Sequence, residues 1–326
     1  MDQVLLSVIV PIYQEGELLR ACLESICQQT FKEFQLIIVD DGGDEITREI
    51  AQEFAASDPR AKLIHQQNSG VSIARNNGLS HAEGEYVYFM DGDDTLENSH
   101  CFERLKKYLD QQNPDLVFLD YRSIEWGTNK ERAKSRNLTN EELTLPKKDF
   151  LNLLYENGIY PISPWQFVSR RELLTTHHIL FPERVLSEDY HFCIDVLYYA
   201  KSYGYLPGSF YVYRRARAGS LTSLSPESSI AGNLLTLDDY VSKPLCKDYM
   251  GLVNTVAHLF GFCFYPISRL PKDKRMALKP EMISRSFILN WSDKWNHHLI
   301  HFALHTLGYR FTIMMIRLVY LAYYKK

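Results

Sequence analysis

Three carboxylates crowd one glycine in Asp91-Gly92-Asp93-Asp94, directly after the apolar and aromatic run Tyr86-Val87-Tyr88-Phe89-Met90. Like charges this close repel one another unless something positive joins them. An all-oxygen donor set favours a hard divalent cation such as Mn²⁺ or Mg²⁺, and a cation held there could in turn hold a diphosphate. An acidic turn capping the next helix is the plainer reading of the same residues. Two further polar groups follow apolar runs in the same way. Tyr13-Gln14-Glu15 follows Leu5 to Ile12, and Asp40-Asp41-Gly42-Gly43 follows Gln35 to Val39.

The elements that must position these groups are legible in the periodicity. Leu5 to Tyr13, Gln35 to Val39, Ala61 to His65, Tyr86 to Met90 and Leu116 to Tyr121 read as strands, several with the continuous apolar character of strands buried on both faces. Pro11 is expected to end the pairing of the first. Leu18 to Ile26, Ile46 to Phe54, Val71 to Leu79 and Cys101 to Leu109 carry helical spacing, with Ser72 available near the start of the third helix. Alternating strands and helices imply an α/β fold with a mostly parallel sheet. The carboxyl ends of parallel strands share one edge, so the three polar groups should converge on one crevice.

Composition sets the wider bounds. A chain of 326 residues holds about two domains as a soft prior. A hydrophobic fraction of 45% and a net charge of −4 are ordinary for a globular protein and give no drive toward nucleic acid. The six cysteines form no Cys-x-x-Cys pair and read as reduced core thiols, which fits a cytoplasmic setting. Val4 to Ile12 contains a proline and has no basic stretch before it, so it reads as a first strand rather than a signal peptide.

Taken in order, Pro11-Ile12-Tyr13-Gln14-Glu15, Val39-Asp40-Asp41-Gly42, Asn68-Ser69-Gly70 with Ala74-Arg75-Asn76-Asn77-Gly78, and Asp91-Gly92-Asp93-Asp94 resemble the motifs of family 2 glycosyltransferases. Weaker similarity continues through Pro164-Trp165, Ser187-Glu188-Asp189 and Tyr211-Val212-Tyr213-Arg214. The resemblance implies a GT-A fold, with a Rossmann-like catalytic domain over 1–222 and a helical region over 223–326. It implies inverting, metal-dependent transfer of one sugar from a nucleotide diphosphate donor, a UDP-sugar in the first instance, to a saccharide or lipid-linked saccharide. Pro11, Tyr13 and Glu15 would line the nucleoside pocket. Asp41, with Asp40, would accept from the base. Asn68, Gly70 and Arg75 would close the far side, and Asp91, Gly92 and Asp93 would form the metal-binding turn. Asp189 falls where the family places its general base. Three departures stand out: Gln14 for asparagine, Gly43 for serine, and Gln166 for lysine after the tryptophan.

The chemistry asks for these groups. A leaving diphosphate needs its developing charge stabilised, and an acceptor hydroxyl needs its proton removed, worth about 10²- to 10⁴-fold. Glu188 could orient Asp189 or raise its pKa. Helix capping by Ser187, Glu188 and Asp189 is the competing reading. Arg214, Arg215 and Arg217 suit a diphosphate or an anionic acceptor, or a solvated basic turn. Trp165 could stack on a sugar or sit in the core. His191 could ligate metal or serve structure. Residues 127–146 read as an exposed polar loop able to order over the site.

From about Ser225 helical patterns take over, at Ile230 to Tyr240, Leu252 to Cys263, Lys272 to Leu289 and His297 to Tyr324. The last is aromatic, apolar and basic. Arg310 and Arg317 argue against a span, since a central arginine costs about 2.5–3.5 kcal/mol on insertion scales. A helix lying in the membrane interface, a core helix and a homo-oligomer contact all remain open for 297–326. Two rival enzymes are disfavoured. Processive synthases carry Gln-x-x-Arg-Trp and several spans, and nucleotidyltransferases a Gly-rich first loop, none of which is present here. A non-catalytic subunit that keeps the fold is the alternative from another class.

Overall fold

The computed structural model describes residues 4–128, 130–215, 226–244 and 246–324. Arg217 and the expected boundary at residue 222 lie outside them. The chain forms two compact units. One gathers 1–144, 161–184 and 192–219, and the other 145–160, 185–191 and 220–326.

The first unit is built on a sheet of nine strands among the described residues: β1 Leu6–Ile12, β2 Phe34–Asp40, β3 Ala61–His65, β4 Tyr86–Phe89, β5 Thr95–Leu96, β6 Leu116–Glu125, β7 Glu131–Lys134, β8 Phe167–Arg170 and β9 Tyr203–Arg215. Their order is β3-β2-β1-β4-β8-β6-β9-β5, with β7 beside β6. Pairing is parallel across β3, β2, β1 and β4, and again between β6 and β9. It is antiparallel at β8, β5 and β7. The parallel expectation therefore holds for the strands that carry the acids, within a mixed sheet. β1 and β4 are wholly buried, as their continuous apolar sequences require.

Local details differ from the sequence expectation for physical reasons. Pro11 stays paired with Val39. Pairing with β4 ends at Ile9 and Phe89, where the Met90 N–H donates to the Ile9 carbonyl. Backbone groups alternate sides along a strand, so the donor that Pro11 lacks falls on the β4 side, beyond the last pair. Ile46 is exposed rather than core. Ser72 lies inside its helix, Val71–Ser80, whose N-cap is Gly70 at φ 95°. The polar segment 127–146 is not a simple loop. It contains β7, which pairs with β6, a capped turn of helix at Asn140–Leu143, and Arg136, only 7% exposed. The Arg136 guanidinium donates to the Leu119 carbonyl and to Gln166 Oε1 and lies over the Phe118 ring. Burial lowers its pKa to about 10, which leaves it charged at neutral pH.

In the second unit, helices Lys147–Glu156, Pro226–Ser242 and Met250–Phe262 pack around Leu252, Val253, Val256, Ala257 and Phe260, all buried. The 250–269 stretch is apolar and long enough to cross a membrane. It is 67% buried within the protein, as a core helix is. The expected helix from Lys272 to Leu289 is three short ones, Lys272–Ala277, Lys279–Arg285 and Phe287–Trp291. The expected terminal helix is also broken. Trp295–Phe302 runs into a π turn, Ala303–Leu307, and Gly308 at φ 88° precedes Tyr309–Tyr324.

Candidate active site

The expected crevice edge forms because β1 lies between β2 and β4 in parallel. Tyr13 to Glu15, Asp40-Asp41 and Asp91 to Asp94 therefore leave the sheet side by side. Cross-links fix them. The Asp41 N–H donates to the Ile12 carbonyl, and the Asp44 N–H to the Tyr13 carbonyl. The Tyr13 N–H donates to Glu15 Oε2 at 2.7 Å, and Tyr13 itself is 40% exposed. Pro11 is buried beneath. Where relatives have serine, Gly43 sits so close that a Cβ would lie 2.1 Å from the Tyr13 carbonyl oxygen. This departure is thus built into the backbone. Gly92 is less confined, its imagined Cβ 3.1 Å from the Glu15 side chain at Cγ.

The two acids at the carboxyl end of β2, Asp40 and Asp41, each take three donors. Asp41 accepts from Gln66 Nε2 at 2.8 Å, from the Ser69 N–H at 2.7 Å and from the Gly70 N–H at 2.8 Å. A carboxylate has about four acceptor positions, so about one is left for a ligand. Asp40 carries as many donors as Asp41, which is itself 5% exposed. Asp40 is 2% exposed and spends its carboxylate on the Gly43 N–H, Arg48 Nε and His65 Nδ1. Burial alone would raise its pKa, but those three partners together hold it below the ordinary carboxylate value. Asn68 and Gly70 are exposed on the turn after β3.

The acidic turn after β4 is anchored from β9, through the pairing of Thr95 with Val212 and of Leu96 with Tyr211. The Tyr211 hydroxyl donates to Asp94 Oδ2 at 2.7 Å, and the Asp91 N–H donates to that hydroxyl at 3.3 Å. The Arg214 N–H holds Asp94 Oδ1 at 2.7 Å, and its guanidinium reaches the Asp93 carbonyl at 2.6 Å. Arg214 thus braces the turn, with its side chain only half-buried. Asp94 is fully buried. Burial first, then the neighbouring Asp93 and Asp91 charges, pushes its pKa well up. Asp91 and Asp93 remain partly exposed, so they are the carboxylates of this turn open to a ligand. Arg75, itself 4% exposed and over the Phe181 ring, donates to Asp91 Oδ1 at 2.9 Å. It is thus a buried partner of the crevice acids.

Of the two readings for Trp165, its burial agrees with the core one. It is 4% exposed, stacked on Tyr211 at 4.6 Å and on Tyr213 at 5.2 Å, and meets Tyr121 edge-on. Gln166 is buried, accepting from Arg136 and the Ile162 N–H. The role of Tyr211 is missed by sequence reasoning. Its aromatic strand is visible, but which acid that strand meets depends on the pairing of β5 with β9.

Glu188 and Asp189 belong to the second unit and open the helix Glu188–Tyr199, both partly exposed. The preceding Ser187 has φ 72°, an uncommon conformation for a residue with a side chain. It is held by contact between the Ser187 and Ser229 hydroxyls at 3.1 Å and by the Leu186 N–H on Ser228 Oγ at 3.1 Å. His191 Nε2 lies 3.6 Å from Asp239, which also pairs with Lys243.

The profile of glycosyl transferase family 2 matches residues 7–176, more than half of the chain and the whole of this acidic edge. The chain belongs to that family. This family 2 member is 32% identical over 217 residues to the putative glycosyltransferase EpsH of Bacillus subtilis, covering 66% of this chain and 62% of that one. Its fold is shared with Staphylococcus aureus TarS 1–349, crystallised with UDP-GlcNAc. The TM-score is 0.75 at 21% identity, over 98% of this chain and 92% of that one. A more distant likeness is the mannosyltransferase PcManGT of Pyrobaculum calidifontis in complex with GDP-Man and Mn²⁺. There the TM-score is 0.56 at 17% identity, over 97% and 84% of the two chains. The GT-A expectation therefore holds.

Proposed function

We propose that this family 2 chain is an inverting, non-processive glycosyltransferase. It moves one sugar from a UDP-sugar to a hydroxyl of a saccharide or lipid-linked saccharide destined for a cell-surface glycan. The observation that carries the reading is the acidic edge in which buried Asp94 is locked by Tyr211 and Arg214 while Asp91 and Asp93 stay accessible. Their oxygen donors fit Mn²⁺ or Mg²⁺, which when bound supplies charge neutralisation for the departing diphosphate. Arg75 pairs with Asp91 and offsets its charge. Asp41 keeps about one acceptor position for the base of the nucleotide. Tyr13 offers an exposed ring beside it. Asp189 takes the proton of the acceptor hydroxyl, with Glu188 beside it at the start of the same helix. The UDP-GlcNAc in the TarS crystal and the Mn²⁺ with PcManGT support the donor class and the metal.

The test is turnover across a UDP-sugar panel, with and without Mn²⁺, for wild type, Asp93→Ala and Asp189→Asn. One donor should turn over with metal, and Asp93→Ala should lose that turnover. Asp189→Asn should bind donor normally and fall by about 10²-fold or more in transfer. Failure of the wild type to bind any nucleotide sugar would overturn the reading.

A further inference from the structure

From Trp295 to the end of the chain there is no acidic residue, yet this stretch holds the densest set of exposed apolar side chains among the described residues. On the helix Trp295–Phe302, Trp295 (76% exposed), Leu299 and Phe302 recur at helical spacing as one stripe, while His297 faces the core. On Tyr309–Tyr324 the division is sharper. Tyr309, Thr312 and Ile313 are buried. At about 100° per residue, Leu321, Met314, Leu318, Phe311, Met315 and Val319 sweep across the opposite side, all exposed. Arg310 and Arg317, two turns apart and both exposed, sit together at one border of that apolar arc.

Beside that border is a groove of about 250 Å³ lined by Lys272, Arg275, Met276, Tyr309, Arg310 and Ile313. Its floor is apolar and its rim carries three cations. None of the three is ion-paired with a described residue; the Arg275 guanidinium donates to the Ser268 carbonyl at 3.5 Å, and Asp273 is the nearby acid on the same short helix. The Tyr309 hydroxyl donates to the Arg275 carbonyl at 3.0 Å, which ties the helix to the groove wall.

We infer that this face lies on an anionic lipid bilayer, with the groove taking a lipid phosphate headgroup and the apolar arc entering the acyl boundary. Arginines at the border of an apolar face can extend to headgroups while their stems stay in the apolar layer. A second copy of the chain is the poorer occupant, because it would set Arg310 and Arg317 against the same cations, with no acid from Trp295 onward to pair them. An anionic surface supplies the missing charge.

The experiment is co-sedimentation of the full chain with phosphatidylcholine vesicles, with and without phosphatidylglycerol. It compares wild type with Lys272→Glu/Arg275→Glu/Arg310→Glu and with Phe311→Ser/Met314→Ser/Leu318→Ser. Melting in solution checks that both variants fold, and no sugar transfer is needed. Wild type should bind only the anionic vesicles, and each triple variant should partition on the order of tenfold more weakly or worse. Absence of binding by wild type, or undiminished binding by the charge variant, overturns the proposal. So does stabilisation by inorganic phosphate that the charge variant abolishes without any vesicle binding, which would make the groove a free-anion site. So does a wild-type dimer that the serine variant converts to monomer.

Discussion

At the scale of single residues, the acidic turn is a problem of unequal carboxylates. Asp91, Asp93 and Asp94 are neighbours in sequence, but only Asp94 is fully buried, and burial pushes its pKa up. It stays in place because the Tyr211 hydroxyl and the Arg214 N–H satisfy both of its oxygens. Replacing Tyr211 with phenylalanine keeps the stacking with Trp165 and removes only the hydroxyl. The expected cost is about 1–3 kcal/mol of stability, from a buried acceptor left short of one donor. Donor affinity should fall with it, because the same hydroxyl holds the Asp91 N–H. Chemical denaturation and donor titration check both effects. Unchanged values in the two would remove Tyr211 from the site. The motif is legible in the sequence. Which of its acids is the anchor is not, since that depends on burial.

At the scale of elements, close backbone packing sets the loop that precedes Asp189. A Cβ on Gly232 would lie 1.8 Å from the Leu186 carbonyl oxygen, on the helix whose Ser228 and Ser229 hold Leu186 and Ser187. Gly232→Ala must therefore move the Leu186-Ser187 segment, and Ser187 already occupies a left-handed conformation. The expected loss is about 1–3 kcal/mol from overpacking, together with a fall in kcat larger than any change in donor Kd. Steady-state kinetics beside donor titration would show it. Equal loss in both would point to general unfolding instead. Ser187-Glu188-Asp189 reads as a helix start from its residue types alone. The strain at Ser187 and the role of Gly232 are invisible there, because they come from a contact some 45 residues away in sequence.

At the scale of the whole molecule, the helical unit carries a pH sensitivity of its own. In the helical unit, His297 is 1% exposed, and its Nδ1 lies 2.7 Å from Ser292 Oγ, which in turn donates to Asn254 Oδ1. Burial lowers its pKa to about 4, with the nearby histidines and Lys294 adding to the effect. A depressed histidine is neutral in the fold, so the unfolded chain binds the proton first as pH falls. Stability from this group is complete above about pH 6.5, is lost between there and pH 4, and amounts to about 2–3 kcal/mol. Thermal melts from pH 8 to 4.5 should show this fall in wild type and a smaller one in His297→Gln. Identical slopes would refute it. Hydrophobic periodicity is sufficient for β1, β2 and β4 and for the helices among them, because strands buried on both faces admit little but apolar residues. Parallel pairing then follows from their alternation with helices, and with it the acidic edge. The antiparallel insertions of β5, β7 and β8, the buried cation at Arg136 and the burial of Trp165 are decided only in three dimensions. Each depends on which distant segment fills a given space, and local residue type does not encode that.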